Sequence, residues 1–192
     1  MKVLFVSIAV LIIDQLSKLY IKGFSFPVFG IRHRGMYQGQ RLPVWGDLFN
    51  ITFVENSGIA FGINFGSEFK LLVSLFTIIA VIALFFYLLR IKNKSLSLRL
   101  SVALIIGGAA GNLIDRIFYG VSYGYSGLFY GRVVDFFDIR IFNFILFDKL
   151  FGNYVFNFAD VAVTAGVIML MFAYGKKEPV VGVENYILES KD

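Results

Sequence analysis

Long uninterrupted runs of apolar residues, separated by stretches of mixed character, dominate this sequence. Four runs, at about 3–21, 70–89, 98–118 and 156–174, reach the roughly 20 residues a helix needs to cross a bilayer and carry few charges at their centres. Lipid cannot satisfy exposed backbone groups, so spans of this kind predict an all-α membrane protein: a four-helix transmembrane bundle. The first run follows Met1-Lys2 in the manner of a secretory leader. Asp14 and Lys18 interrupt its end and no small-x-small cleavage site follows closely, which makes it a retained span.

The segments between the runs have their own pattern. Within 22–69, Val44-Trp45 and Leu48–Val54 read as short β structure broken by Pro43 and Gly46. Segment 119–154 is rich in Tyr, Phe and Gly, a composition suited to a membrane interface. Tyr119, Tyr123, Tyr125, Phe129, Tyr130 and Trp45 suggest that Gly120–Arg132 and Phe24–Gly46 form an aromatic rim. Residues 1–175 are expected to make one domain, and 176–192 a disordered tail.

Composition sharpens this picture. The chain is 58% hydrophobic and only 16% charged, against about 25% charged in soluble domains. The net charge of +5 fits cationic flanks facing anionic lipid better than a nucleic-acid partner. Arg90, Lys92, Lys94 and Arg99 crowd the short connection between the second and third runs, and Lys176-Lys177 follows the fourth. The positive-inside rule then puts both termini in the cytoplasm and the two long connections outside. With no cysteine, disulfides and thiolate chemistry are excluded. The single histidine, His33, stands between Arg32 and Arg34 and supports no histidine-based metal motif; no metal or other cofactor is expected.

Ionisable groups in apolar spans are expensive and default to functional hypotheses. Asp14 and Lys18 lie four apart on one helix face and can pair; the plainer reading is a structural ion pair near the span end, with Lys18 snorkelling. Asn56-Ser-Gly58-Ile-Ala-Phe-Gly62 reads as a turn that presents an amide, or as a plain turn. In Gly107-Gly108-Ala-Ala-Gly111-Asn112-Leu-Ile-Asp115-Arg116 the small residues admit a neighbouring helix, but packing does not explain the three polar groups. Asp135 and Asp160 sit in apolar surroundings, where two carboxyls brought together can share one proton. The predicted topology brings Asp14, Lys18, Asn56, Asn112, Asp115, Arg116, Asp135 and Asp160 to one membrane face. A proton-relay transporter would connect both faces, and a non-catalytic assembly subunit would use only the glycines; both remain alternatives.

Taken in order, Asp14-Gln-Leu-Ser-Lys18, Asn56-Ser-Gly58-Ile-Ala60-Phe, Gly-Asn112-Leu-Ile-Asp115-Arg116, Val-Val-Asp135-Phe and Phe-Asn157-Phe-Ala159-Asp160 resemble the motifs of lipoprotein signal peptidase (signal peptidase II) from about residue 7 to 174. The resemblance implies a bacterial inner-membrane aspartic endopeptidase that removes signal peptides from diacylglyceryl-modified prolipoproteins, cutting before the lipidated cysteine. It implies Asp135 and Asp160 as the catalytic pair, and Asn56, Gly58, Asn112, Arg116, Asn157 and Ala159 as residues that bind substrate or shape the site. Asp14, Lys18, Gly108, Gly111 and Asp115 would support them. A small outer β element, a cradle for the substrate, is implied as well. The expected partners are the prolipoprotein signal peptide and membrane lipid, with the chain acting as a monomer. Compared with the family pattern, the stretch Gly120–Arg132 and segment 24–46 are extended.

Overall fold

The computed structural model describes residues 2–57, 66–146 and 149–175; Gly58 and the tail 176–192 lie outside the described residues. In chain order the elements are α1 (Leu4–Lys22), β1 (Phe24–Phe26), a 3-10 turn (Pro27–Phe29), β2 (Ile31–His33), β3 (Arg41–Trp45), β4 (Phe49–Asn56), α2 (Gly66–Arg90) and α3 (Leu96–Ile114). A π turn (Asp115–Tyr119) and the one-turn α4 (Gly120–Ser122) extend α3; β5 (Val133–Leu146), β6 (Lys149–Phe156) and α5 (Phe158–Gly175) follow.

Among the described residues, Leu4–Lys22, Glu68–Arg90 and Leu96–Ser122 are long and apolar enough to cross a membrane. The apolar stretch of α5, Phe158–Ala173, is shorter. Of the four spans expected, three therefore meet the length requirement. The four long helices, α1, α2, α3 and α5, carry apolar side chains outward, among them Phe5, Phe76, Ile79, Leu96, Met171 and Phe172.

Helix α3 is the hub: it packs against α1, α2 and α5. Its small residues make this possible. A Cβ on Gly107 would strike the backbone of Ser7, and one on Gly108 would run into the carbonyl oxygen of Ala159. Toward the Val3 end of α1 the interior is apolar, with Val3, Leu88, Ile91, Val102, Ala103 and Ile106 in one buried cluster. Two buried hydroxyls interrupt it: Ser7 donates to the Ala103 carbonyl at 2.7 Å and Ser101 to the Leu98 carbonyl at 2.8 Å. The opposite end holds the buried charges.

The β strands form a two-stranded sheet, β1–β2, and an antiparallel sheet in the order β3-β4-β5-β6. Pro43, expected to break β structure, lies within β3. The strand is an edge, where a missing N–H costs no ladder bond, and the register shifts between Pro43 and Trp45. Segment 119–154 departs further from expectation: it supplies β5 and β6. Its tyrosines also turn inward. Tyr119 is buried and packs with Ile21, Phe53, Val134 and Phe136, while Tyr123 and Tyr125 lie against the same cluster. An aromatic rim at Gly120–Arg132 is thus not what these tyrosines form. Apolar groups outward in segment 24–46 include Phe29 and Trp45.

Candidate active site

Asn157 caps the start of α5. Its Oδ1 accepts from the backbone N–H of Asp160 at 3.0 Å, and the Asp160 carboxylate accepts from the Asn157 N–H at 3.1 Å. This reciprocal arrangement is a capping box with aspartate in the glutamate position, and it satisfies two donors that a helix start leaves open. A third, the N–H of Ala159, donates to Asp14 Oδ1 at 2.9 Å. Asp160 therefore stands at a positive helix end, with its carboxyl fixed by local hydrogen bonds.

The Asn157 side chain also links the two acids. Its Nδ2 donates to Asp135 Oδ1 at 2.7 Å and lies 3.1 Å from Asn112 Oδ1. Asn112 Nδ2 donates in turn to Asp160 Oδ1 at 2.8 Å. Asp135, on β5, receives a second bond at 3.0 Å from Asn56, the last residue of β4. Burial pushes the Asp135 carboxyl up to about 7, and the charge of Asp160 adds to the rise; the bonds from Asn56 and Asn157 work against it.

Beneath the acids lies a charged layer with no exposure to solvent. Lys18 Nζ sits 2.8 Å from both Asp14 and Asp115 and donates to Asn112 Oδ1 at 2.8 Å. Gln15, quoted in the first motif but given no role there, donates to Asp115 at 2.9 Å and to the Gly111 carbonyl at 3.0 Å. Asp115 also accepts from the N–H of Val134 at 3.2 Å, which ties the end of α3 to the start of β5. A Cβ on Gly111 would meet the Asp14 carboxylate, so glycine is needed for this layer to close.

Arg116, within the π turn, lines a narrow pocket with Asn56, Ser57, Phe69, Lys70, Val73 and Gly131. Single π turns inside α-helices recur at functional sites. A far larger groove, about 740 Å³, runs past Leu16, Tyr20, Ile21, Met36, Ile51 and Phe136. Strand alternation turns Phe136 to the sheet face opposite Asp135, so this groove does not open on the acids.

Asp14, Lys18, Asn56, Asn112, Asp115, Asp135, Asn157, Ala159 and Asp160 thus come together through one connected set of hydrogen bonds, with Arg116 beside them. Gly108 contacts Ala159 from behind. Gly58 falls outside the described residues. Sequence reading missed Gln15, and it missed the buried pair of Lys22 and Glu55 behind Asn56. Among the described residues no cluster of His, Cys, Asp and Glu is arranged to hold a metal ion.

Signal peptidase (SPase) II, as a family model, matches residues 6–175. The chain belongs to the signal peptidase II family. It is 38% identical over 170 residues to the lipoprotein signal peptidase of Moorella thermoacetica, covering 88% of this chain and 90% of that protein. To the lipoprotein signal peptidase of Porphyromonas gingivalis strain W83 it is 35% identical over 199 residues, covering 87% and 80%. A bacterial membrane enzyme solved by the in meso method at 1.9 Å resolution superposes with a TM-score of 0.65 at 30% identity, over 92% of this chain and 94% of that one. A second, solved at 2.3 Å, gives 0.61 at 27% identity over 93% and 94%. Signal peptidase II membership makes the chain a multi-pass membrane peptidase and leaves the transporter and assembly-subunit readings without support.

Proposed function

We propose that the chain is a lipoprotein signal peptidase in which Asp135 and Asp160 act as one catalytic pair on diacylglyceryl-modified prolipoproteins, cutting before the lipidated cysteine. The observation that carries this reading is the Asn157 side chain, which donates to Asp135 while its main chain and Oδ1 hold Asp160. Asp135, pushed up to about 7 by burial and by its neighbour's charge, is the member that holds the shared proton. Asp160 takes a proton from water as the water oxygen bonds to the scissile carbonyl carbon. Asp135 gives its proton to the carbonyl oxygen. When the resulting adduct collapses, the C–N bond breaks, the leaving amine takes the proton held by Asp160, and one of the two hydroxyls returns its proton to Asp135 as the new carboxyl forms.

Asn56, Asn112 and Asn157 hold the two carboxyls, and Arg116 faces the substrate backbone from the narrow pocket. Ala159 keeps close contact with α3 at Gly108. Gly58, two residues after Asn56 in the sequence, is assigned with it to shaping the site. Asp14, Lys18, Gly111 and Asp115 form the support underneath.

Residues 1–175 form one domain of four spans in a bacterial inner membrane, with α5 as the shortest span. At about 1.5 Å per residue its 18 residues reach about 27 Å, close to the hydrocarbon thickness. Both termini are cytoplasmic, supported by Arg90, Lys92, Lys94 and Arg99 at the α2–α3 connection, and the active site lies at the outer face. The outer sheet cradles the signal peptide, and the outward apolar faces meet membrane lipid. The chain works as a monomer without cofactor or nucleic acid.

Detergent-purified protein alone should cleave a diacylglyceryl-modified precursor peptide and spare the unmodified one. Equal cleavage of both, or dependence on an added factor, would contradict the reading.

A further inference from the structure

Lys22 ends α1 with its ammonium group enclosed. It pairs with Glu55 Oε1, and both side chains are under a tenth exposed, at 7% and 8%. The rings of Tyr123, Tyr125 and Phe53 stand 4.2, 5.1 and 5.8 Å from the ammonium. The other carboxylate oxygen of Glu55 accepts from Arg132 Nη1 at 3.1 Å, and the Arg132 guanidinium lies 5.2 Å from the Tyr125 ring. Two further bonds close the cage. The Tyr123 hydroxyl donates to the Gly23 carbonyl at 2.7 Å, and the N–H of Arg132 donates to the Tyr125 hydroxyl at 2.9 Å. Three of these residues, Tyr123, Tyr125 and Arg132, belong to the extended stretch Gly120–Arg132.

The cage sits directly behind the acids. Glu55 pairs with Val134, Asn56 with Val133 and Val54 with Asp135 across β4 and β5. Alternation sends Glu55 to the buried face with Phe53 and Val134, and Asn56 to the face of Asp135. Asn56 ends β4, where a strand is most prone to fray, yet it must donate to Asp135 at 3.0 Å. One residue earlier stands a buried carboxylate held from both sides.

Resting on the assignment of Asp135 and Asp160 as the catalytic pair, we propose that Glu55 is a positioning residue: clamped by Lys22 and Arg132 inside the Tyr123–Tyr125 cage, it fixes Asn56 on Asp135. The extended stretch thereby does a task in the chemistry without touching the substrate.

A double-mutant cycle on cleavage of a diacylglyceryl-modified precursor peptide tests this. Glu55→Gln should lower kcat by on the order of tenfold with KM changed less than about twofold, since small misplacements of reacting groups are costly. In an Asn56→Ala background the same change should cost less than about twofold, because its route to Asp135 is already gone. Arg132→Gln, which leaves Lys22 in place, should give a smaller loss with the same dependence on Asn56. It replaces Glu55→Gln in the cycle if that variant does not fold. Equal losses in both backgrounds, a rise in KM alone, or full kcat in folded Glu55→Gln would overturn the proposal. Asp135→Asn measured alongside separates the two readings: activity there sinks the catalytic pair itself, whereas an inactive Asp135→Asn with an additive cycle sinks only the role of Glu55.

Discussion

Asn157 and Asp160 cap each other, with the Asn157 Oδ1 3.0 Å from the Asp160 N–H and the Asp160 carboxylate 3.1 Å from the Asn157 N–H. The capping box, a folding device, here holds one carboxyl of the proposed catalytic pair. Asn157 caps the helix through Oδ1 and reaches Asp135 through Nδ2, so its part in stability and its proposed part in the chemistry can be separated.

Serine is a good N-cap but lacks the amide that reaches Asp135, so Asn157→Ser should remain folded and lose kcat by at least on the order of tenfold. Asn157→Ala loses the cap as well and should be less stable than Asn157→Ser by about 1 kcal/mol. Thermal unfolding and steady-state cleavage of the two variants check this. Equal stability would mean that the cap contributes nothing.

Among the described residues, Lys18 is the cation that pairs with the buried carboxylates of both Asp14 and Asp115. Lys18→Met strands both, and removing one partner from a buried pair costs about 3–5 kcal/mol. Asp14→Asn leaves Asp115 to balance Lys18 and should lower stability more than turnover per folded molecule. Denaturant unfolding paired with activity per folded protein decides. Normal stability with abolished turnover in Asp14→Asn would move Asp14 into the catalytic set.

Asp138, the other buried acid of β5, faces different partners. It accepts from the Thr52 hydroxyl at 2.7 Å and pairs with Arg140 at 3.0 Å. Burial opposes its ionisation, but Arg140 and Thr52 outweigh it and hold the carboxyl below its ordinary value. A depressed acid contributes stability above its unfolded value, about 3.9, and loses it as pH falls through the folded one. Asp138→Asn should thus keep cleavage, show a lower Tm than the parent at pH 7, and converge with it towards pH 3. A deficit that persists at pH 3 would show that the pairing is not its cause.

For Asp135 the sign is opposite. Its folded value is raised from 3.8 to about 7, so the folded state resists ionisation. The resulting cost is absent below the ordinary carboxylate range, grows as pH rises and is complete above about 7. Asp135→Asn removes that cost. The variant should melt above the parent at pH 8 and close to it at pH 4, as scanning calorimetry in detergent can show. A lower Tm at pH 8 would mean that the carboxylate stabilises the fold.

The spans could be read from the sequence because hydropathy over 20 residues is a strong signal, and α1, α2 and α3 lie within a few residues of expectation. Convergence of the motifs was legible for a topological reason: the C-terminal ends of α1 and α3 and the start of α5 must share one face. The sheet was only half legible. In Val133–Leu146 aromatic and β-branched residues crowd together, and Asp138 and Arg140 give too brief an alternation to separate a strand from an interfacial loop. The inward turn of Tyr119, Tyr123 and Tyr125 depends on partners distant in sequence, Gly23, Lys22 and Phe53, which composition does not identify. Gln15 escaped notice because its role exists only where the π turn has set Asp115 beside it.

Cleavage of a diacylglyceryl-modified precursor peptide by folded Asp135→Asn, Asp160→Asn and the double variant tests the central claim most directly. Asparagine is nearly isosteric with aspartate but exchanges no proton. Each single change should lower kcat by at least about 10²-fold, and the double variant should be hardly worse than either, because groups acting as a unit are not additive. Substantial cleavage by either folded single variant, or multiplicative losses in the double one, would contradict a shared catalytic pair.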